Sequence, residues 1–221
     1  MDTLIVGAGG HGRVVLEILL AAGTHTPIGF IDADPALAGT EVAGLPVFGH
    51  VNALARLRHR RISAAIIAIG DNAARLTYAK ALRDNGFELI NAIHPSAVIS
   101  PSAKLGCNTV IAANAVVGTD CRLGDSVIVN TSAVIDHECE IGEGAHICPD
   151  AALAGRVRIG EKAFVGLGAR VIPCMSVGNG AVIGAGAVVI RDIPPFATAV
   201  GVPARIIRSS AQPIDTAMAR A

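Results

Sequence analysis

The sequence predicts a small α/β domain with a parallel sheet followed by a parallel β-helix, and three observations carry that prediction. An aliphatic residue recurs every six positions from Ile93 to Val189 without interruption, strand and helix patterns alternate before it, and the composition suits a narrow, repetitive core. Gly numbers 25, aromatic residues make up 3% and Trp is absent, although 52% of the chain is apolar, which is ample for a packed interior. The predicted division is an α/β domain over 1–92, a β-helix over 93–193 and a C-terminal tail over 194–221.

The α/β domain opens with a strand predicted at Thr3 to Val6, a helix from about His11 to Ala22 and a second strand at Ile28 to Asp32. A short helix near Asn52 to Arg60, a third strand at Ala64 to Ile69 and a helix around Ala73 to Asn85 follow, the alternation of a parallel sheet. Its first turn reads Gly7-Ala8-Gly9-Gly10-His11-Gly12, with Asp32 twenty residues beyond Gly12. Glycines there let the backbone approach a phosphate, and the helix N-terminus favours its negative charge. Three readings stand open: bound NAD, a nucleotide-linked substrate, or a purely structural glycine turn. Room for only half of a dinucleotide fold weighs against NAD.

In the second part the period runs through Ile93, Ile99, Leu105 and Ile111 to Ile183 and Val189. Two positions before each aliphatic the side chain is usually small, as at Ala115, Cys121, Ala133, Cys139 and Ala145, so both positions face inward on a strand whose side chains alternate. Gly recurs one step after the aliphatic, at Gly106, Gly118, Gly124 and Gly142 among others, where corners needing unusual φ and ψ are expected. An α-helix needs a 3.6-residue period and does not tolerate this glycine load.

A formal net charge of zero advertises neither nucleic acid nor an anionic membrane as partner. The opening MDTLIVGAGG lacks a basic region and breaks its apolar run at glycine, so neither signal peptide nor membrane insertion is expected and the chain is assigned to the cytoplasm. The five cysteines, at 107, 121, 139, 148 and 174, form no CxxC pair, and an odd count suits reduced thiols. Cys121 and Cys139 fall at inward positions and read as packing residues.

The segments IVGAGGHGRVV, IAIGDN, NAIHPSAVISP, VNTSAVIDHE, ALAG and GVPAR resemble those of bacterial nucleotide-sugar N-acetyltransferases, hexapeptide-repeat enzymes with an N-terminal nucleotide-binding domain. Sialic acid O-acetyltransferases are relatives of that family. The resemblance runs to about Arg205. It implies a Rossmann-like N-terminal domain and a left-handed β-helix of three hexads per coil; the general right-handed preference of parallel crossovers would have predicted the opposite hand. It also implies acetyl-CoA as co-substrate, no metal, and a homotrimer with active sites between subunits. The acceptor would be the 4-amino group of a UDP- or GDP-linked 4-amino-4,6-dideoxy sugar. By position, Gly9, Gly10, His11 and Gly12 would lie near phosphate, Asp32 and Ala33 near ribose or base, with Gly70 and Asp71 beside them.

Acyl transfer needs a base for the acceptor's proton and a donor for the developing oxyanion. Of seven histidines, His25, His50 and His59 read as surface residues and His94 as a boundary residue before a proline. His137 follows Ile135 by two places, which turns it outward, and Glu138 follows it directly. A neighbouring carboxylate can fix an imidazole's tautomer and stabilise its charged form. Gly155 comes eighteen residues after His137 and is expected one coil above it; the resemblance gives its amide the acetyl carbonyl. His146, nine residues beyond His137 and thus on another face, is implied to reach acetyl-CoA across a subunit interface. Asn130 is placed near the acceptor, and Leu167 and Ala185, eighteen apart, beside the pantetheine arm. No nucleophilic Ser/His/Asp set or P-loop appears, which favours direct transfer. Two other functions stay open: O-acetylation of a sialic acid or similar sugar, and a non-enzymatic nucleotide-binding scaffold.

Overall fold

The computed structural model describes residues 1–54, 57 and 62–209. His59, most of the short helix expected near 52–60 and the tail from 210 to 221 lie outside the described residues. The chain divides into two compact units after Pro95.

Among its described residues the first unit holds a parallel sheet and the helices Gly10–Ala22 and Asn72–Asp84. Strand β1 (Asp2–Val6) pairs with β2 (Thr26–Ile31) on one side and β3 (Ala64–Ile67) on the other, and β4 (Glu88–Leu89) pairs with β3, giving the order β2-β1-β3-β4. Leu4, Ile5, Val6 and the whole of Ala64–Ile67 are buried, the continuous apolar run of a strand covered on both faces. Helix α1 (Gly10–Ala22) buries Val15, Leu16, Ile18 and Leu19 and stops at Gly23, whose φ of 65° lets its N–H return to Leu19 O, a left-handed cap. Helix α2 (Asn72–Asp84) starts where the Asp71 carboxylate accepts from Ala74 N at 2.7 Å, satisfying a donor the helix cannot.

The second unit is a parallel β-helix of two-residue strands, each bonded to the strand eighteen residues on: Val116 with Val134, Arg122 with Glu140, Ile128 with His146. From Ile111 to Val189 every periodic aliphatic is buried, and so are the small partners from Ala115 to Ala169. Ile99 and Leu105, at the start of the unit, are half-buried.

Two expectations need correction. The glycines after the aliphatics are not the corner residues. The left-handed corner falls two positions later, at Asn108, Asn114, Asp120, Ser126, Glu138, Gly144, Arg156 and their equivalents. Gly142 is required because a β-carbon there would lie 2.7 Å from Gly160 C in the next coil. It is stacking distance, not backbone freedom, that excludes a side chain. The residues from 194 are also not a simple tail: Ala197–Val200 continues the sheet beside Val182–Ile183, and Arg205–Ser209 folds back on it antiparallel. Pro194 and Pro195 interrupt the six-residue pattern and hid this last strand from periodicity.

The distinction between the two glycine roles is measurable. Gly142→Ala should cost about 2–3 kcal/mol in a denaturant melt through overpacking. Gly186→Ala, with φ of 66° and open space around it, should cost about 1–2 kcal/mol from the left-handed backbone alone.

Candidate active site

On the β-helix, His137 and Glu138 form the turn between Val134–Ile135 and Glu140–Ile141. The turn is pinned from both sides: Asp136 Oδ1 accepts from His137 N at 2.8 Å, Glu138 N donates to Thr119 O at 2.7 Å, and Arg156 N donates to His137 O at 2.9 Å. Both side chains are about half exposed. Glu138 Oε2 sits 3.0 Å from His137 Nδ1, so Nδ1 carries the proton and Nε2 is left as the acceptor. The same oxygen accepts from Arg156 Nε at 3.0 Å. Hydrogen bonds from Arg156 first and His137 second hold the Glu138 carboxyl below the usual carboxylate range.

Gly155 lies directly over that imidazole. A β-carbon on it would meet His137 Cε1 at 2.5 Å and Nε2 closer still. Its N–H donates no hydrogen bond among the described residues, whereas the stacking glycines spend theirs between coils, as Gly142 N does on Ile159 O at 2.7 Å. The arrangement is therefore an imidazole, oriented by a carboxylate, beneath an amide that donates to no described group.

His146 occupies a different sheet of the solenoid from the strand preceding His137, as the half-coil spacing implied. It is buried, packs edge-on against Phe164 with ring centres 5.3 Å apart, and its Nε2 lies 3.2 Å from Asn130 Nδ2. The eighteen-residue repeat does not pair them, since it sets His146 over Ile128 and Cys148 over Asn130. Leu167 and Ala185 are exposed and stacked, with Gly186 N donating to Leu167 O. Cys139, beside the dyad in sequence, points inward, and burial pushes its thiol up to about 12, which removes it as a nucleophile at neutral pH.

In the first unit, the loops following β1 and β3 meet: a β-carbon on Gly7 would sit 2.7 Å from Ala68 O. Gly12 is packed against Gly7, whereas positions 9, 10 and 70 have open space for a side chain. Asp32 does not reach outward; its carboxylate accepts from Ala8 N at 2.7 Å and Asp34 N at 2.9 Å, tying the glycine loop to the end of β2. Ala33 beside it is exposed. His11 Nε2 is buried, and burial followed by the Arg75 charge lowers its imidazole to about 4, so it is uncharged at neutral pH. The residue missed from sequence is Arg75. It is fully buried in α2, and its guanidinium bonds Ile69 O at 2.9 Å, Gly70 O at 3.3 Å and Asn72 Oδ1 at 2.8 Å, bracing the loop that carries Gly70 and Asp71. Among the described residues no His, Cys, Asp and Glu cluster could hold a metal ion, and no helix is long and apolar enough to cross a membrane.

Residues 2–82 match the PglD N-terminal domain. A histidine-to-asparagine variant of perosamine N-acetyltransferase from Caulobacter crescentus, in complex with CoA and GDP-perosamine, is 45% identical over 95% of this chain and 98% of that chain, with a TM-score of 0.91. The chain belongs to the nucleotide-sugar N-acetyltransferase family. It is an acyltransferase built as a parallel-sheet domain followed by a left-handed β-helix. The acetyltransferase domain of PglB from Neisseria gonorrhoeae FA1090, in complex with acetyl coenzyme A, is 39% identical over 93% of this chain and 98% of that chain, with a TM-score of 0.87. UDP-N-acetylbacillosamine N-acetyltransferase of Bacillus subtilis (strain 168) is 41% identical over 114 residues, a match that spans about half of each protein, 51% of this chain and 51% of that enzyme.

The dyad's charge state has a pH signature. The unfolded Glu138 carboxyl titrates near ~4.3 and the folded one lower, so its stabilisation is full above ~4.3 and is lost as pH falls through the lowered value. Melts of wild type and Glu138→Gln should differ at pH 7 and converge in acid. Gly155→Ala should displace the imidazole and lower kcat on the order of 100-fold, with the thermal midpoint changed by only a few degrees.

Proposed function

We propose that the chain transfers the acetyl group of acetyl-CoA directly to the 4-amino group of a UDP- or GDP-linked 4-amino-4,6-dideoxy sugar, with His137 as general base. The observation that carries this is the imidazole of His137, held by Glu138 and roofed by the unspent amide of Gly155. The relatives named above supply the substrates: CoA with GDP-perosamine in one, acetyl coenzyme A in another and a UDP-linked amino sugar in a third.

Acetyl-CoA supplies an activated carbonyl. The amine nitrogen attacks it and the C–N bond forms while His137 Nε2 takes the nitrogen's proton; the carbon–sulfur bond then breaks, CoA leaves as its thiolate, and the imidazolium returns the proton to that sulfur. Glu138 stabilises the imidazolium for as long as it persists, and the Gly155 N–H faces the carbonyl oxygen as negative charge builds on it. The open positions 9, 10 and 70 of the first unit, with His11, Gly12, Asp32, Ala33 and Asp71 around them, take the nucleotide. His11 does so as a neutral hydrogen-bonding group and Asp32 by holding the loop's shape. Asn130 and His146 act as one pair, and Leu167 and Ala185 flank the pantetheine arm.

Because His137 and His146 stand on different faces of one β-helix, a complete site needs a neighbouring copy, and the working assembly is a trimer. Five free cysteines suit a reducing compartment, the cytoplasm.

His137→Ala should lower kcat by about 100- to 10,000-fold, read as CoA release with UDP- and GDP-linked amino sugars; unchanged turnover on every active acceptor sinks the general-base reading. Product masses from paired amino and hydroxyl acceptors decide N- against O-acetylation. Mixing and reassembling inactive His137→Ala and His146→Ala proteins should restore up to about a quarter of wild-type activity, since only interfaces with both residues intact work; no recovery argues that each chain holds its own site.

A further inference from the structure

We propose that Arg156 is a positioning residue for the reaction: acting through Glu138, it aims the His137 imidazole and sets the pH at which that imidazole becomes free to accept a proton. The proposal rests on the reading of His137 as the base. Glu138 and Arg156 take the same left-handed corner position in successive coils, with φ of 57° and 61°, so their side chains stack by construction. One oxygen, Glu138 Oε2, accepts from both His137 Nδ1 and Arg156 Nε, each at 3.0 Å.

A half-exposed glutamate with a single partner would sample several rotamers, and the imidazole would follow it. Arg156, whose backbone N–H donates to His137 O, gives the carboxylate a second point of attachment through its planar guanidinium. Sharing the oxygen also has an electrostatic consequence. It weakens the carboxylate's hold on the Nδ1 proton and puts a permanent positive charge near the ring, and both effects oppose formation of the imidazolium. The other charged groups around the ring do not replace Arg156. Asp136 spends Oδ1 on His137 N, Asp120 lies one coil below on the same corner, and Arg122, Glu140 and Arg158 line the adjoining groove of about 570 Å³. Cys174, one coil above, acts on Arg156 itself.

Removing Arg156 should therefore raise the titration midpoint of His137. Since the base must be neutral, the acidic limb of kcat then moves to higher pH. The test is an NMR titration of the imidazole in the full-length protein, with the His137 signal assigned by its loss in His137→Asn. Alongside it go pH–rate profiles of Arg156→Ala and Arg156→Lys and a cycle with Glu138→Gln. Arg156→Ala should raise the midpoint by about half a pH unit and lower kcat about 2- to 5-fold, with KM for both substrates unchanged. Arg156→Lys should restore most of the midpoint but not kcat, because it keeps the charge and loses the directed Nε–H donor. In the Glu138→Gln background, Arg156→Ala should leave kcat unchanged. An unmoved midpoint in Arg156→Ala, or a full additional loss of kcat in that background, overturns the proposal. The titration reads Arg156 without turnover, so failure of the general-base reading, seen in His137→Ala kinetics, is separately visible.

Discussion

The active-site half of this molecule depends on one constraint, the stacking of each residue over the residue eighteen positions before it. Backbone hydrogen bonds between coils fix that register, as in Val134 N to Ala151 O and Asp136 N to Leu153 O at 2.9 and 3.0 Å. A one-residue slip would turn every inward side chain out, so burial of the aliphatic column enforces the same register independently. Gly155 over His137 and Arg156 over Glu138 are consequences of it. No loop has to be ordered to bring these four residues together, and the geometry on which the proposed proton transfer rests is built into the scaffold.

The two histidines with the strongest claims on chemistry show how the fold separates roles. His11 is buried beside a guanidinium, and both burial and charge disfavour its protonation. It can hydrogen-bond to an anion but does not attract one. His137 is half exposed and touches a carboxylate, so geometry and not desolvation determines what it does. In the function proposed above, His137 is a proton acceptor that must cycle and His11 a binding group that must not, and the exposed and buried placements suit those two roles.

Much of this was legible in the sequence because the β-helix is a nearly one-dimensional object. A period of six gives the inward face and a period of eighteen gives the neighbours, and those rules alone put Gly155 over His137. The same arithmetic pairs Glu138 with Arg156, so that contact was legible in the spacing; it takes Asn130 to Cys148 and His146 to Ile128, so the Asn130–His146 contact was not. The corners were misplaced because the composition signal, glycine recurring after the aliphatics, reports close approach between coils, while the left-handed residue two positions later is variously Asn, Asp, Ser, Glu, Arg, Lys, Cys or Gly. Arg75 and Asp32 carried no such signal. A buried arginine in the first turns of a helix, and a carboxylate folded back on a glycine loop, are settled by tertiary closure that local pattern does not encode.

The glycines of the first loop sharpen the same point. Gly7 and Gly12 face backbone at distances no β-carbon would tolerate, so packing of strand, loop and helix accounts for them completely. Positions 9 and 10, and Gly70 in the neighbouring loop, face open space. No described atom stands where a β-carbon would be placed there. Steric demand thus divides one glycine motif into a packed part and an open part, and the open part is where the phosphate of the proposed substrate would meet the backbone N–H groups at the start of the first helix.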